Sequence, residues 1–283
     1  MAILTKTPKS TRPAGEPTVA VLLTWFMPGA GHLYLGRTRF ALVAFVVVQG
    51  IYLLGLKLSG GMGFEFLQEE LRGAFAPALA PEAGNLGALL YHLKNYGYGM
   101  PYPREFPSTV ALGSMLTAAS GMFNVALMCH AHFAARLPRG ESRGFGSPAF
   151  AVLLTWLVPG LGHLFQGRRL RAVLVFCMIV GLVTFGTILA EGLNLSRERH
   201  YYYWGGQFMA GLPALLPELF GGGKAVSSHI PYGEAGLVIA SVAGLLNIQT
   251  MLDVYGFGER QEFGGGAAAD ESKAGASAQE TGA

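Results

Sequence analysis

Long apolar runs and short basic or polar segments alternate along the chain. Four of the apolar runs have the length of a helix that crosses a bilayer, for which about 20 residues are needed. These predicted membrane helices cover residues 38–58, 109–135, 170–190 and 235–254. Two further runs, 18–36 and 149–167, are interrupted by proline and glycine, which break a helix. The pattern predicts an all-α integral membrane protein with two short, broken segments.

The two broken segments are copies of each other. Residues 17–37 match residues 148–168 at a constant offset of 131, with 14 identities in 21 positions, which indicates an internal duplication. Both copies contain the motif Pro-Gly-x-Gly-His-Leu-Tyr/Phe-x-Gly-Arg. The motif supplies the candidate functional or turn residues, which are Pro28, Gly29, Gly31, His32, Gly36, Arg37, Pro159, Gly160, Gly162, His163, Gly167 and Arg168.

The last predicted helix of each half carries a second duplicated pattern, now at an offset of 123. Two glycines and an asparagine recur at equal spacing and fall within an arc of about 80° on the helix surface. Small residues let helices approach closely in lipid, and an amide can hydrogen-bond across the contact. We therefore expect this face to form the seam between the two halves, with Gly113, Gly121, Asn124, Gly236, Gly244 and Asn247.

The duplication implies two pseudo-symmetric membrane repeats, each with one broken segment and two membrane helices. The predicted organisation is a basic cytoplasmic leader over 1–16, a first repeat over 17–136, a basic linker over 137–147, a second repeat over 148–258 and a disordered tail over 259–283. Each repeat contains one long polar connection, 59–108 in the first and 191–234 in the second. Both connections are expected to lie outside the membrane.

The arginines bear on the orientation of the broken segments. If these segments enter and leave the membrane on one side, the basic clusters at Arg37/Arg39 and Arg136/Arg139/Arg143 share that side with both termini. Basic residues near helix ends favour the cytoplasm. If the broken segments span instead, six crossings result and the halves are inverted. We favour re-entry, cytoplasmic termini and a location in the bacterial inner membrane.

Composition supports a membrane protein and argues against several other classes. The 283 residues are 51% hydrophobic and 13% charged, whereas soluble domains carry about 25% charged residues. The net charge of +3 is dispersed, without a basic run interleaved with aromatics, so nucleic acid is not an expected partner. The sequence lacks a P-loop, a zinc-protease motif, a nucleophile elbow and a dinucleotide fingerprint. We predict no catalytic residues, no metal and no cofactor, and favour a protein that is not an enzyme.

His32 and His163 are the strongest candidates for function. Each follows a Pro-Gly-x-Gly break, where freed backbone groups need partners or line a polar cavity. We favour a structural role, in which the imidazole hydrogen-bonds carbonyls of its own turn. A role in binding a ligand, a proton or a lipid headgroup, and a metal bridge between the two histidines, are the alternatives.

Other polar residues have structural interpretations. Asn124 and Asn247 are expected to join helices rather than to catalyse. His130 lies near a helix end, and Asp253 occupies the equivalent position in the second repeat, so together they mark a candidate polar site. Arg37 and Arg168 are expected to meet anionic headgroups and fix the topology.

The motifs suggest a family. The Pro-Gly-x-Gly-His motif followed by a membrane helix resembles that of bacterial membrane proteins related to the TM2-domain group. Pro-Tyr-Gly-Glu at 231–234, Gly-Leu-Leu-Asn at 244–247 and Leu-Asp-Val-Tyr at 252–255 resemble the closing part of bacterial membrane proteins of the DUF6677 type. The resemblance implies a membrane location and no established activity. That family usually has one unit per chain, whereas here the unit is doubled, with His130 where the second copy has Asp253.

Two functions remain open at this stage. The one we favour is a non-enzymatic membrane protein that binds the bilayer, including its anionic lipids, or scaffolds a membrane-protein partner. The alternative is a transporter or channel for a small solute or lipid, with His32, His163, Asn124 and Asn247 lining the seam between the halves. Duplicated halves with broken helices are typical of transporters, but these spans contain almost no ionisable residue.

Overall fold

The structure is a computed structural model that describes residues 13–67, 72–73, 75–98, 105–139, 141, 146–221 and 230–280, with side chains described as far as residue 264. Residues 1–12 of the predicted leader and Arg143 of the predicted linker lie outside the described residues. The described helices are α1 (Pro17–Phe26), α2 (Ala30–Tyr34), α3 (Thr38–Leu58), α4 (Phe75–Leu79), α5 (Leu86–Asn95), α6 (Val110–Arg136), α7 (Pro148–Leu157), α8 (Leu161–Phe165), α9 (Arg169–Leu189), α10 (Tyr201–Phe208), α11 (Leu212–Gly221) and α12 (Gly233–Glu280).

Four helices in the described part of the chain are long and apolar enough to cross a membrane, namely α3, α6, α9 and α12. Their bounds follow the predicted ones closely up to the end of α9. α3 and α9 leave most of their side chains on the outside, whereas α6 is buried over 61% of its most apolar stretch. The predicted all-α membrane fold with two membrane helices per repeat is therefore confirmed, with α6 at the centre and α3 and α9 facing lipid.

α12 continues beyond its predicted end. Its backbone is helical as far as Glu280, whereas the sequence predicts a disordered tail from residue 259 onwards. Contacts with α6 account for the first part of this extension. Glu259 accepts a hydrogen bond from Arg136 over 2.7 Å, and the ring of Phe263 lies 5.4 Å from that of Phe133.

The first broken segment enters from the end of α6 that carries Arg136. Before α1, the backbone amide of Ala14 donates to the carbonyl of Leu137. At the other end of α1, the side-chain amide of Asn124 donates to the carbonyl of Thr24 over 2.8 Å. Asn124 precedes Arg136 by 12 residues, about 18 Å along α6. α1 therefore ends beside the middle of α6.

α2 then turns back to the end from which α1 came. Its His32 lies against His130 of α6. Arg37, at the start of α3, donates a hydrogen bond to the carbonyl of Glu141, which follows α6. The segment enters and leaves at one end of α6, which is the arrangement that re-entry requires. We call this end of the repeats, marked by Arg136 and Arg169, the motif side, and the opposite end, marked by Leu58 and Val110, the connection side.

Glycine permits this reversal in two different ways. Gly29 has a φ of 83° and Gly160 a φ of 85°, in the left-handed region that favours glycine. Gly31 is needed because α1 and α2 touch there, and a Cβ on it would overlap the carbonyl oxygen of Ala20 and the hydroxyl of Thr24. The Thr24 hydroxyl accepts from the Gly31 amide and donates to Ala20, which ties the two helices together.

The second repeat folds in the same way and points in the same direction. The Asn247 amide donates to the carbonyl of Thr155 at the end of α7 over 3.1 Å. α6 and α12 run side by side and in parallel, because successive residues of one meet successive residues of the other. Tyr255 contacts His132, and one turn further on Glu259 contacts Arg136. The two repeats thus point in the same direction and are not inverted.

The predicted seam is wrong. Its residues pack α6 and α12 against helices of their own repeat. A Cβ on Gly55 of α3 would lie 2.6 Å from the carbonyl oxygen of Gly113, and the equivalent contact in the second repeat joins Gly186 of α9 to Gly236. The halves meet instead through larger apolar side chains of α6, α7 and α12, including Met115, Met122, Val152, Trp156, Met251 and Val254.

The long connections also differ from the prediction, because parts of them fold back to the depth of Asn124. The indole nitrogen of Trp25 donates to the carbonyl of Ala83 over 2.7 Å, and Asn124 donates to Gly84 over 2.9 Å. α5 starts two residues after Gly84, so α1 and α5 reach the depth of Asn124 from opposite ends of α6. In the second repeat Trp156 donates to Phe208 in the same manner.

Candidate functional site

The motif histidines reach across to the last helix of their own repeat. His32 Nε2 lies 2.7 Å from His130 Nδ1, and His163 Nε2 lies 3.1 Å from Asp253 Oδ2. Both motif histidines are buried. Among the described contacts neither imidazole bonds a carbonyl of its own turn, so that part of the structural hypothesis is wrong. The duplicated polar position, His130 and Asp253, is the partner of the motif in each repeat.

The buried ring nitrogens determine which tautomer these histidines adopt. The Nδ1 atoms of His32 and His163 are buried without a hydrogen-bond partner among the described residues. A buried N–H without an acceptor is costlier than an acceptor without a donor. The hydrogen of each neutral ring is therefore on Nε2. His32 then donates to His130 Nδ1, so a neutral His130 carries its own hydrogen on Nε2, on the far side of its ring.

The arginine of the motif has different partners in the two repeats. Arg168 donates to Asp253 Oδ2 over 2.6 Å, and Arg171 reaches the same carboxylate at 3.2 Å. Arg37 instead donates to the backbone carbonyl of Glu141. In the part of the chain that the structure describes, no side-chain carboxylate is paired with Arg37. The second repeat thus neutralises its motif arginine internally, and the first repeat does not.

A large groove lies beside the first-repeat motif. Its volume is about 910 Å³, within the range of roughly 300–1,000 Å³ typical of ligand pockets. One face of α3 lines it over three helical turns, opposite α6 and α7. We call it the junction groove, and its apolar wall consists of Leu35, Phe40, Val43, Ala44, Val47, Val48, Phe123, Ala126, Leu127, Ala149, Phe150 and Leu153.

Polar residues are confined to one end of the junction groove. Arg37, Thr38 and Arg39 form one edge of this end. His130, Glu141 and Ser147 complete it. The guanidinium groups therefore lie at the motif side, where the membrane helices end, and the apolar wall extends from there along α3 towards the membrane interior.

The junction groove exists because a second repeat follows the first. Ala149, Phe150 and Leu153 belong to α7, which is the broken segment of the second repeat. α12 is the last helix of the second repeat, and no described segment after it supplies such a wall. The groove therefore lies at the junction between the halves, although the predicted seam residues do not form it.

The remaining predicted site residues shape the fold. Pro28 and Pro159 are buried at the bends that follow α1 and α7. Gly36 and Gly167 have φ values of 77° and 78° with open space around them, so they serve the turn before the next helix. Asn124 and Asn247 are buried, and each donates to two backbone segments of its repeat. The described residues contain no group of three His, Cys, Asp or Glu arranged to hold a metal.

A family model describes each of the two repeats. The model of a family of unknown function, DUF6677, matches residues 19–142 and again residues 150–266. The chain belongs to the DUF6677 family. The two matches correspond to the two structural repeats, so one DUF6677 unit consists of a re-entrant segment, a membrane helix, a long connection and a second membrane helix. The chain has no significant match among curated proteins or solved structures.

The two DUF6677 units are also joined by a buried ionic cluster that the sequence analysis missed. On the connection side, Arg197 of the second connection donates to Glu82 of the first over 2.7 Å, and both side chains are nearly fully buried. The guanidinium carbon lies 4.8 Å from the ring centre of Trp204. Glu218 accepts from the Trp204 indole, and burial raises the pKa of Glu218 to about 6. Charged residues in long polar connections usually read as solvated, so the sequence carried no clear signal for this cluster.

Proposed function

We propose that this protein is a non-enzymatic lipid-binding membrane protein that holds a hydrocarbon chain of a membrane lipid in the junction groove. The observation that carries the proposal is the long apolar wall between two membrane helices, with guanidinium groups at one end only. A lipid has the same distribution of chemistry, with a polar group at the bilayer surface and a chain directed inwards. The motif side would face the cytoplasm of a bacterial inner membrane.

The walls of the junction groove are accessible to lipid. Val43 and Val47 of α3 are 62% and 51% exposed, and both line the groove. α3 faces the surrounding bilayer along most of its length. A lipid chain can therefore enter sideways from the membrane without crossing a polar barrier, and its headgroup can stay at the level of Arg37 and Arg39.

The two re-entrant segments keep a transporter as the second candidate. α1 and α7 end beside the middle of α6 and α12, and broken helices that end at the midplane are typical of transporters. However, Asn124, Asn247, His32 and His163 are buried and hydrogen-bonded within their repeats, and none of them lines the junction groove. Purified protein that moves a solute across liposome membranes would favour this candidate.

The relation of the motif to the TM2-domain group also stays a prediction.

A filled groove tests lipid binding. Val47→Trp places a large ring inside the junction groove, and Met178→Trp places the same ring at the equivalent position of α9, which is similarly exposed at 45%. We expect wild type and Met178→Trp to retain a bound phospholipid through purification in mild detergent, and Val47→Trp to lose it. Native mass spectrometry measures the bound lipid. Equal lipid retention by all three proteins would contradict the proposal.

A further inference from the structure

We infer that the junction groove selects lipids whose headgroup carries a net negative charge, and that the headgroup anion binds beside His130, the first-repeat counterpart of Asp253. This inference rests on the proposed function, since it names the class of lipid that the groove holds. It draws on a comparison that the molecule itself provides, because the same motif occurs once with an internal carboxylate and once without.

The second repeat shows how the motif binds an anion. His163 Nε2 and Arg168 Nη2 converge on one oxygen of Asp253, at 3.1 and 2.6 Å, and Arg171 adds a third contact from the next turn. Imidazole and guanidinium donors around a carboxylate form charge-assisted hydrogen bonds, which are among the stronger ones in proteins. The anion in this arrangement comes from position 253 of the chain itself.

The first repeat has two of these three donors and lacks the anion, because Phe40 stands at the position equivalent to Arg171. His32 and Arg37 occupy the positions equivalent to His163 and Arg168. The position equivalent to Asp253 is His130, whose Nδ1 accepts from His32. With its hydrogen on Nε2, His130 presents an N–H donor where the second repeat presents a carboxylate acceptor. An anion of a bound molecule would supply the acceptor that the first repeat itself lacks at this position.

The placement of these donors matches a lipid headgroup. Arg37 and His130 both line the polar end of the junction groove. Arg39 lies beside them, exposed at the motif side. Glu141 is the acidic residue among those that line this end, and its backbone carbonyl accepts a hydrogen bond from Arg37. A phosphate there meets guanidinium donors, which bind phosphate in paired hydrogen bonds, while its chain follows the apolar wall.

The decisive variant gives the first repeat its own carboxylate. His130→Asp places a carboxylate beside His32 and Arg37, as Asp253 stands beside His163 and Arg168 in the second repeat. The assay compares phosphatidylglycerol with phosphatidylcholine of the same chains, added to delipidated protein in neutral detergent and counted by native mass spectrometry. We expect wild type to prefer phosphatidylglycerol by about tenfold, as one charge-assisted pair can provide. His130→Asp should lose this preference and still bind phosphatidylcholine.

Further arms separate the outcomes. Arg39→Gln, on an exposed side chain, should reduce the preference severalfold even if His130→Asp fails to fold. Arg169→Gln, also exposed but in the second repeat, should leave it unchanged. Inorganic phosphate alone should not compete, because it lacks the chain. Equal binding of both lipids by wild type would overturn the inference while leaving lipid binding intact. If wild type binds neither lipid, the proposed function is overturned.

Discussion

At the scale of single residues, one position on the last helix of each repeat decides what the motif histidine contacts. His130 and Asp253 are equivalent by sequence and by structure, yet one is an imidazole and the other a carboxylate. The proline, glycine, histidine and arginine positions of the motif are the same in both copies, including the glycines that allow the re-entrant turn. The difference therefore changes charge without changing the backbone, and it makes two copies of one fold chemically unequal.

The close contact at Gly31 gives a prediction that separates packing from hydrogen bonding. Gly31→Val would force α1 and α2 apart, because its side chain overlaps Ala20 and Thr24. Overpacking of this kind costs about 1–3 kcal/mol or more. His32→Asn removes one hydrogen bond, worth about 1 kcal/mol. We expect Gly31→Val to lower membrane abundance and melting temperature in detergent more than His32→Asn does.

Gly50 supplies the matched control for this comparison. It lies on α3 with open space where a Cβ would be added, so Gly50→Val should leave the melting temperature nearly unchanged. A Gly31→Val protein that is as stable as Gly50→Val would contradict the close contact of α1 and α2 at Gly31. A well-folded His32→Asn variant that fails to complement a deletion strain would show that the motif has a function beyond structure.

At the scale of elements, the sequence predicts faces better than it predicts what those faces contact. The stripe of Gly113, Gly121 and Asn124 indicates a close helix contact, and that is correct. Its partners are α1, α3 and the first connection, because periodicity along one helix reveals which side is packed but carries no information on the neighbour. The bounds of α3 could be predicted since apolar length alone sets them. The groove wall from α7 could not, because it depends on how the repeats dock.

The buried pair between Glu82 and Arg197 joins the two connections and should be sensitive to single substitution. Arg197→Met leaves Glu82 buried without its partner, which typically costs about 3–5 kcal/mol. Replacing both residues, as Glu82→Leu with Arg197→Met, removes the uncompensated charge, so we expect much of the stability to return. Thermal unfolding in detergent measures both effects.

A surface pair provides the comparison for that experiment. Arg136 and Glu259 also join the two repeats, but on the motif side and partly exposed to solvent. Exposed pairs contribute about 0–1 kcal/mol, so Arg136→Met should shift the melting temperature only slightly. Similar losses from Arg197→Met and Arg136→Met would mean that the connection-side pair does not hold the repeats together.

At the scale of the whole molecule, the parallel arrangement of the repeats fixes which loops share a side. Both re-entrant segments open at the motif side, and both long connections begin at the opposite end. We expect single cysteines placed at Lys94 and Arg139, in a background without Cys129 and Cys177, to react with impermeant maleimide from opposite sides of the membrane. Labelling of both from the same side would contradict this topology.

The junction groove has a consequence for how many ligands such a chain can carry. Its third wall comes from the repeat that follows, so the number of grooves equals the number of junctions between repeats and not the number of repeats. A single unit would have none until it associated with another copy, and a tandem chain has one fewer than its number of units. If the junction groove binds lipid as proposed, the two described repeats would hold one lipid at their junction, with α3 and α6 of the first repeat on one side and α7 of the second repeat completing the wall.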